Sequence, residues 1–181
     1  MNDLILIALR GEAPELASWP NVFQTGVGKV NAALTTARLI ERYHPKRVWN
    51  FGTAGGITVG SGLHRCTRFL QRDMLVTALG FLPGQTPYEK TIALETGSGG
   101  LTCSSGDSFV TAGELELHAD LVDMEAYAVA KACLSTNTEF HCYKFISDRA
   151  DDASHQDWQS NISLGESLYL QTLQTFNLLQ H

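Results

Sequence analysis

"GVGKVNAALTTARLIERYHPKRVWNFGTAGG", residues Gly26 to Gly56, holds one helix-like segment between two glycine-bearing segments. Val30, Ala33, Leu34, Ala37, Leu39, Ile40 and Tyr43 recur at helical spacing, and Pro45 supplies the stop. "NVFQT" just before it reads as a short strand and "RVWNF" just after it as another, which leaves "GTAGG" as the loop beyond the second strand. Upstream, "DLILIAL" (Asp3 to Leu9) is a continuous apolar run, as expected of a strand covered on both faces, and Gly11 and Pro14 break it. Strand, glycine-bearing loop, helix, strand, glycine-bearing loop is the rhythm of a mainly parallel α/β sheet. Such sheets bind their ligands beyond the carboxyl ends of the strands.

Downstream the pattern is less regular. "LHRCTRFLQ" and "TIALE" read as strands, and the glycine and proline of "LGFLPGQTP" mark an extended loop. "GGLTC" reads as a strand leading into "SSGDSFV", and "MEAYAVAKACL" as a helix rich in alanine and leucine. "EFHCYKFISD" is a further strand, and a last helix is expected from about Asp157 to Leu179, with Ile162, Leu168, Leu173, Phe176 and Leu179 facing the core.

The chain has 181 residues, 44% of them apolar, enough for a sizeable core, and one domain over residues 1–181 is expected. A formal charge of -6 with only 13 basic residues, none in a block, argues against a nucleic-acid polymer as partner. Cys66, Cys103, Cys133 and Cys142 have no C-x-x-C spacing and read as reduced thiols in a cytoplasmic protein. The apolar run from Leu4 to Leu9 follows Asp3 and has no cleavage signal, and no segment reaches the roughly 20 apolar residues of a membrane span, so no membrane partner is expected.

Four loops follow four candidate strands and carry Glu12, Thr53, Asp107 with Phe109, and Asp148. In a parallel sheet they converge on one edge, where acids distant in sequence can line a single crevice. "VDMEAYAVA" adds Asp123 and Glu125 at a helix start, where a carboxylate is welcome near the dipole. His118, His141 and His155 share no ligand spacing, so no metal site is expected. "GSGG" (Gly97 to Gly100) reads as a flexible turn, since no Lys-Ser/Thr follows it. Trp158 reads as packing the start of the last helix.

Taken together and in order, "GVGKVNAALTTARLIERYHPKRVWNFGTAGG", "SSGDSFV", "VDMEAYAVA" and "FISDRADD" resemble the 5′-methylthioadenosine/S-adenosylhomocysteine nucleosidases of the purine nucleoside phosphorylase superfamily. The resemblance implies a three-layer sandwich with a central mixed, mainly parallel sheet flanked by helices. It implies hydrolysis of the N-glycosidic bond of an adenine nucleoside, with no cofactor. Residue by residue, it implies that Glu12 activates water and Asp148 protonates or hydrogen-bonds N7 of the purine. Glu125 grips the ribose hydroxyls, and Met124 packs on the sugar. Phe109 stacks on the base, and the backbone at Val110 pairs with its edge. Thr53 and Lys144 fall where the family often has serine and arginine near the water. Asp123 remains mainly the helix-start residue. In the family the "RDMLVTALGFLPGQTPYE" region helps to form a dimer, so Leu79, Phe81 and Pro87 are expected to reach a partner's 5′-substituent pocket in a homodimer.

By the same likeness the chain is a shortened member. Between Glu12 and Gly26 there is room for one short strand where the family has more, and between Pro87 and Gly106 a family helix is missing. Two alternatives stand beside hydrolysis. One is a phosphate-dependent phosphorylase, which needs cationic donors for its phosphate and is disfavoured by an acid at the nucleophile's position. The other is a trimmed, non-catalytic nucleoside-binding protein.

Overall fold

The computed structural model describes residues 1–108, 110, 118–149 and 154–178. In chain order the elements are β1 (Asp3–Ile7), β2 (Val22–Gln24), α1 (Lys29–Tyr43), β3 (Arg47–Gly56), β4 (Leu63–Gln71), β5 (Leu94–Glu95), β6 (Leu101–Ser105), β7 (Leu121–Asp123), α2 (Ala126–Ser135), β8 (Glu139–Asp148), α3 (Ser154–Asn161) and α4 (Glu166–Thr175). The sheet order is β2-β1-β3-β7-β6-β4-β5, and it curves so tightly that β8 pairs with both β3 and β4. β1 runs parallel to β2 and β3, β3 to β8, and β6 to β4 and β7. The antiparallel pairings are β3 with β7, β4 with β8 and β4 with β5.

Alternation along the central strands makes the three layers. In β1, Leu4 and Leu6 join the core under α1 and α2, with Ala32, Ile40, Ala126 and Val129. Ile5 and Ile7 face the other way and pack with Trp49 and Phe51 of β3 against Tyr169 and Leu173 of α4. Successive strand residues point to opposite faces, so a run buried on both must be apolar throughout, as "LILI" is. Among the described residues no helix is long and apolar enough to cross a membrane.

Several expectations change. "GTAGG" is not a loop: β3 runs on to Gly56, where Gly55 and Gly56 pair with Val122 and Leu121 of β7. Glycine belongs inside this strand because a Cβ on Gly56 would lie 2.4 Å from the Val59 carbonyl oxygen. "TIALE" contributes only Leu94–Glu95, and the three-residue β7 went unread. α1 turns Ala32, Thr36 and Ile40 inward on the side that packs on α2, while Val30 is 75% and Leu34 48% exposed. The last helix is two, broken between Asn161 and Glu166, where Gly165 is wedged against Phe145 and Tyr169. Of its expected core residues Leu173 is buried, Phe176 is 41% exposed though tilted on Trp49, and Leu179 lies outside the described residues.

Candidate active site

A cavity lies beyond the carboxyl ends of β1, β3 and β8, and its empty space, open mouth included, is about 690 Å³. Glu12, Thr53, Val110, Met124, Glu125 and Asp148 all line it. Phe109 lies outside the described residues. Lys144 sits behind the cavity wall rather than on it, and Leu79, Phe81 and Pro87 lie away from the cavity, Leu79 being 72% exposed.

Glu12 ends a single 3-10 turn, Arg10–Glu12, that folds back on the end of β1. Its Oε2 accepts the amides of Ala8 and Leu9 at 2.9 and 3.0 Å, and its Oε1 accepts the Thr53 amide at 2.9 Å and the Thr53 hydroxyl at 3.0 Å. The same hydroxyl oxygen receives the indole N–H of Trp158 at 3.0 Å. Trp158 therefore faces the cavity and does more than pack a helix start. Nothing in the polar stretch "HQDWQS" signals that role.

Asp148 reaches the cavity through an irregularity. Ala54 pairs with Ile146 but Gly55 pairs with Asp148, so β8 skips Ser147, and both Ser147 and Asp148 then line the cavity. Bulges re-aim side chains in this way. The Ser147 hydroxyl donates to Asp148 Oδ2 at 2.8 Å, and Asn161 of α3 donates to the Ser147 carbonyl at 2.8 Å.

The two carboxylates of "VDMEA" have different fates. Asp123 Oδ2 accepts the Ala126 amide at 2.9 Å, a helix cap, and lies 2.8 Å from Lys144 Nζ; its Oδ1 accepts the Ser105 hydroxyl at 2.5 Å. Burial opposes its charge, yet the Lys144 ammonium and these hydrogen bonds hold its pKa below the ordinary value. Burial is the largest influence on Lys144 and works against its charge, but Asp123, with Cys142, Glu125 and Cys103 behind it, outweighs burial and holds the ammonium well above its usual range. Glu125 faces the cavity and accepts the Gly28 amide at 2.8 Å. Burial first, and then the Asp123 charge, push its pKa from 4.5 up to about 7. Gly28 has φ 91°, a left-handed geometry that frees its N–H to meet Glu125 and that side-chain-bearing residues rarely adopt.

Arg72, at the end of β4, carries no expectation from sequence. Its guanidinium donates to the carbonyls of Ser104 at 2.7 Å, Asp123 at 2.8 Å, Gly106 at 3.0 Å and Ser108. It thus ties the loop after β6 to the end of β7. Among the described residues no group of three or more His, Cys, Asp or Glu could hold a metal ion. His141 instead stacks on Trp49, ring centroids 4.0 Å apart.

Comparison with known proteins fits this geometry. The sequence profile of the Phosphorylase superfamily matches residues 18–84. The chain is 32% identical over 170 residues to the 5′-methylthioadenosine/S-adenosylhomocysteine nucleosidase of Haemophilus ducreyi, covering 80% of this chain and 73% of that protein. Its fold matches the S-adenosylhomocysteine nucleosidase of Streptococcus pyogenes in complex with 5-methylthiotubericidin at a TM-score of 0.84, with 21% identity, covering 98% of this chain and 96% of that one. It matches the futalosine hydrolase of Helicobacter pylori at 0.83, with 22% identity and 92% of each chain covered. These two likenesses carry the fold alone, whereas the Haemophilus relative is close enough over enough of its length to carry kinship. A cavity lined by Glu12, Asp123, Glu125 and Asp148 and a relative of that name lead to one conclusion: the chain belongs to the 5′-methylthioadenosine/S-adenosylhomocysteine nucleosidase family.

Proposed function

We propose that the protein hydrolyses the N-glycosidic bond of an adenine nucleoside such as 5′-methylthioadenosine or S-adenosylhomocysteine, releasing adenine and the ribose derivative. The observation that carries this reading is the meeting of Glu12, Glu125 and Asp148, far apart in the chain, around one cavity. Adenine leaves poorly as an anion. A water oxygen bonds to C1′ while the C1′–N9 electron pair departs with the base, so the base needs a proton and the water must lose one. Asp148 serves the proton at N7, and Glu12 is the final acceptor of the proton from water. Glu125, ionised, accepts the ribose hydroxyls and favours positive charge growing on the sugar. Met124 packs on the ribose, and the Val110 backbone and Phe109 take the base.

Water, rather than phosphate, suits the wall chemistry. Among the described residues that line the cavity the basic side chain is Arg72, and it is committed to carbonyls. Lys144 is buried against Asp123. A phosphate would find neither cation open to it.

The same reading makes the protein a homodimer. Val27, Val30 and Leu34 at the start of α1, and Leu75, Leu79 and Leu82 after β4, are all exposed apolar residues, an arrangement that marks an interaction surface. Leu79, Phe81 and Pro87 of each copy complete the other's 5′-substituent pocket. Four free, buried cysteines suit a reducing compartment, so we place the protein in the cytoplasm, where its products would enter methionine salvage.

The test is adenine release from 5′-methylthioadenosine with and without phosphate. Phosphate-independent release is expected, and Asp148→Asn should bind the nucleoside but turn it over about 10²-fold or more slowly, the worth of a positioned acid. A strict phosphate requirement, or no release at all, overturns the assignment.

A further inference from the structure

The Glu12 carboxylate is saturated. Its oxygens take the amides of Ala8, Leu9 and Thr53 and the hydroxyl of Thr53, and an ionised carboxylate has about four acceptor positions. None is left open to a water in the cavity. Three of the four donors are backbone amides fixed by the chain at β1 and β3, and the fourth is a hydroxyl on a rotor. Donor and acceptor directions around that hydroxyl are forced. The Trp158 indole N–H can only donate and the ionised carboxylate can only accept, so the chain of protons runs from Trp158 to Thr53 to Glu12. One lone pair of Thr53 Oγ1 then remains, on a residue that lines the cavity.

We propose that Glu12 takes its proton from water through the Thr53 hydroxyl rather than directly, and that Trp158 is the positioning residue that holds this hydroxyl in the relay orientation. The inference rests on the nucleosidase reading above. As the water oxygen bonds to C1′, the water proton passes to the remaining lone pair of Thr53 Oγ1, and the Thr53 proton passes to Glu12 Oε1. The C1′–N9 electron pair leaves with the base, which is protonated at N7. Proton return from Glu12 through Thr53 to solvent, and uptake of a proton from solvent by Asp148 after it has given its own to N7, restore the starting arrangement. Trp158 contributes no proton. It occupies one side of the Thr53 oxygen, so that what is left is one proton aimed at Glu12 and one lone pair for water.

The relay separates itself from direct abstraction in a double-variant cycle on 5′-methylthioadenosine. Thr53→Val keeps the side-chain volume and the backbone amide but removes the hydroxyl, which opens the fourth position on Glu12. The relay expects kcat to fall about 10²-fold with KM little changed, the worth of a positioned proton acceptor, and Thr53→Ser to retain most of the activity. Trp158→Phe keeps an aromatic ring at the position and removes the donor, and kcat should fall about fivefold, as for one neutral hydrogen bond. In the Thr53→Val background the same change should have no effect, because the group it acts through is gone. Wild-type kcat in Thr53→Val overturns the relay, since water then reaches Glu12 unaided. An equal Trp158→Phe effect in both backgrounds overturns the positioning role. A wild-type chain that releases no adenine removes the reaction itself, and the relay with it.

Discussion

Lys144 Nζ lies 2.8 Å from Asp123 Oδ2, and the two side chains are only 2% and 1% exposed. Asp123 is part of the cavity wall, one residue from Met124 and two from Glu125, with Lys144 behind it, and after burial these two charges act most strongly on Glu125. A buried pair of this kind contributes little net stability over apolar replacements, but removing one member strands the other.

Lys144→Met should therefore destabilise the fold by about 3–5 kcal/mol, the cost of a buried unpaired charge. Adding Asp123→Asn should recover part of that loss, because the amide oxygen can still accept from Ala126 while the NH2 group donates to the Ser105 hydroxyl oxygen. Urea denaturation midpoints of the single and double variants check both statements.

Glu125 makes stability depend on pH in a direction opposite to the usual carboxylate. Its pKa rises from 4.5 to about 7 on folding, so between those values the folded chain binds more protons than the unfolded one. The contribution is fully present below pH 4.5 and is lost as pH rises through 7, by about 3 kcal/mol at the usual conversion per pKa unit. Ligand-free Glu125→Gln should lose this slope and be the more stable protein at pH 8, while losing its grip on ribose. Thermal unfolding between pH 5 and pH 8, on the order of the window set by the shift, is the measurement.

Arg72→Met should raise KM more than it lowers kcat. The guanidinium holds the backbone of the loop expected to take the base, and its loss leaves the carbonyls of Ser104 and Asp123 without a side-chain donor. The Asp123 carbonyl keeps the Gly106 amide at 3.2 Å, so what is lost is the set of charge-assisted hydrogen bonds, about 1.5–3 kcal/mol for one such bond, and a lower urea midpoint should accompany the weaker binding. Arg72→Lys should not restore the wild-type values, because an ammonium lacks the planar fork.

The order of strands and helices was legible because apolar runs buried on both faces and a glycine-punctuated helix are strong signals. "GTAGG" was misread because a run of glycines reads as a chain break, whereas here glycine serves a close approach of strand and loop at Val59. Periodicity in α1 named apolar residues without saying what covers them; Ala32 and Ile40 meet α2 while Val30 and Leu34 face outward. β7 is too short for alternation to register. Of the site, the acids could be named from their motifs, but Trp158 acts through a hydrogen bond to a distant hydroxyl and Arg72 through four to distant carbonyls, and no spacing encodes such partners.

The filled lone pairs of Glu12 also bear on inhibitor chemistry. A cationic sugar mimic brought up to that carboxylate would feel its charge but would have to evict the threonine hydroxyl before it could form a contact. Glu125, whose Oε1 takes a single glycine amide, offers an ammonium-bearing compound an easier anchor, and one whose hold should tighten as the medium turns alkaline.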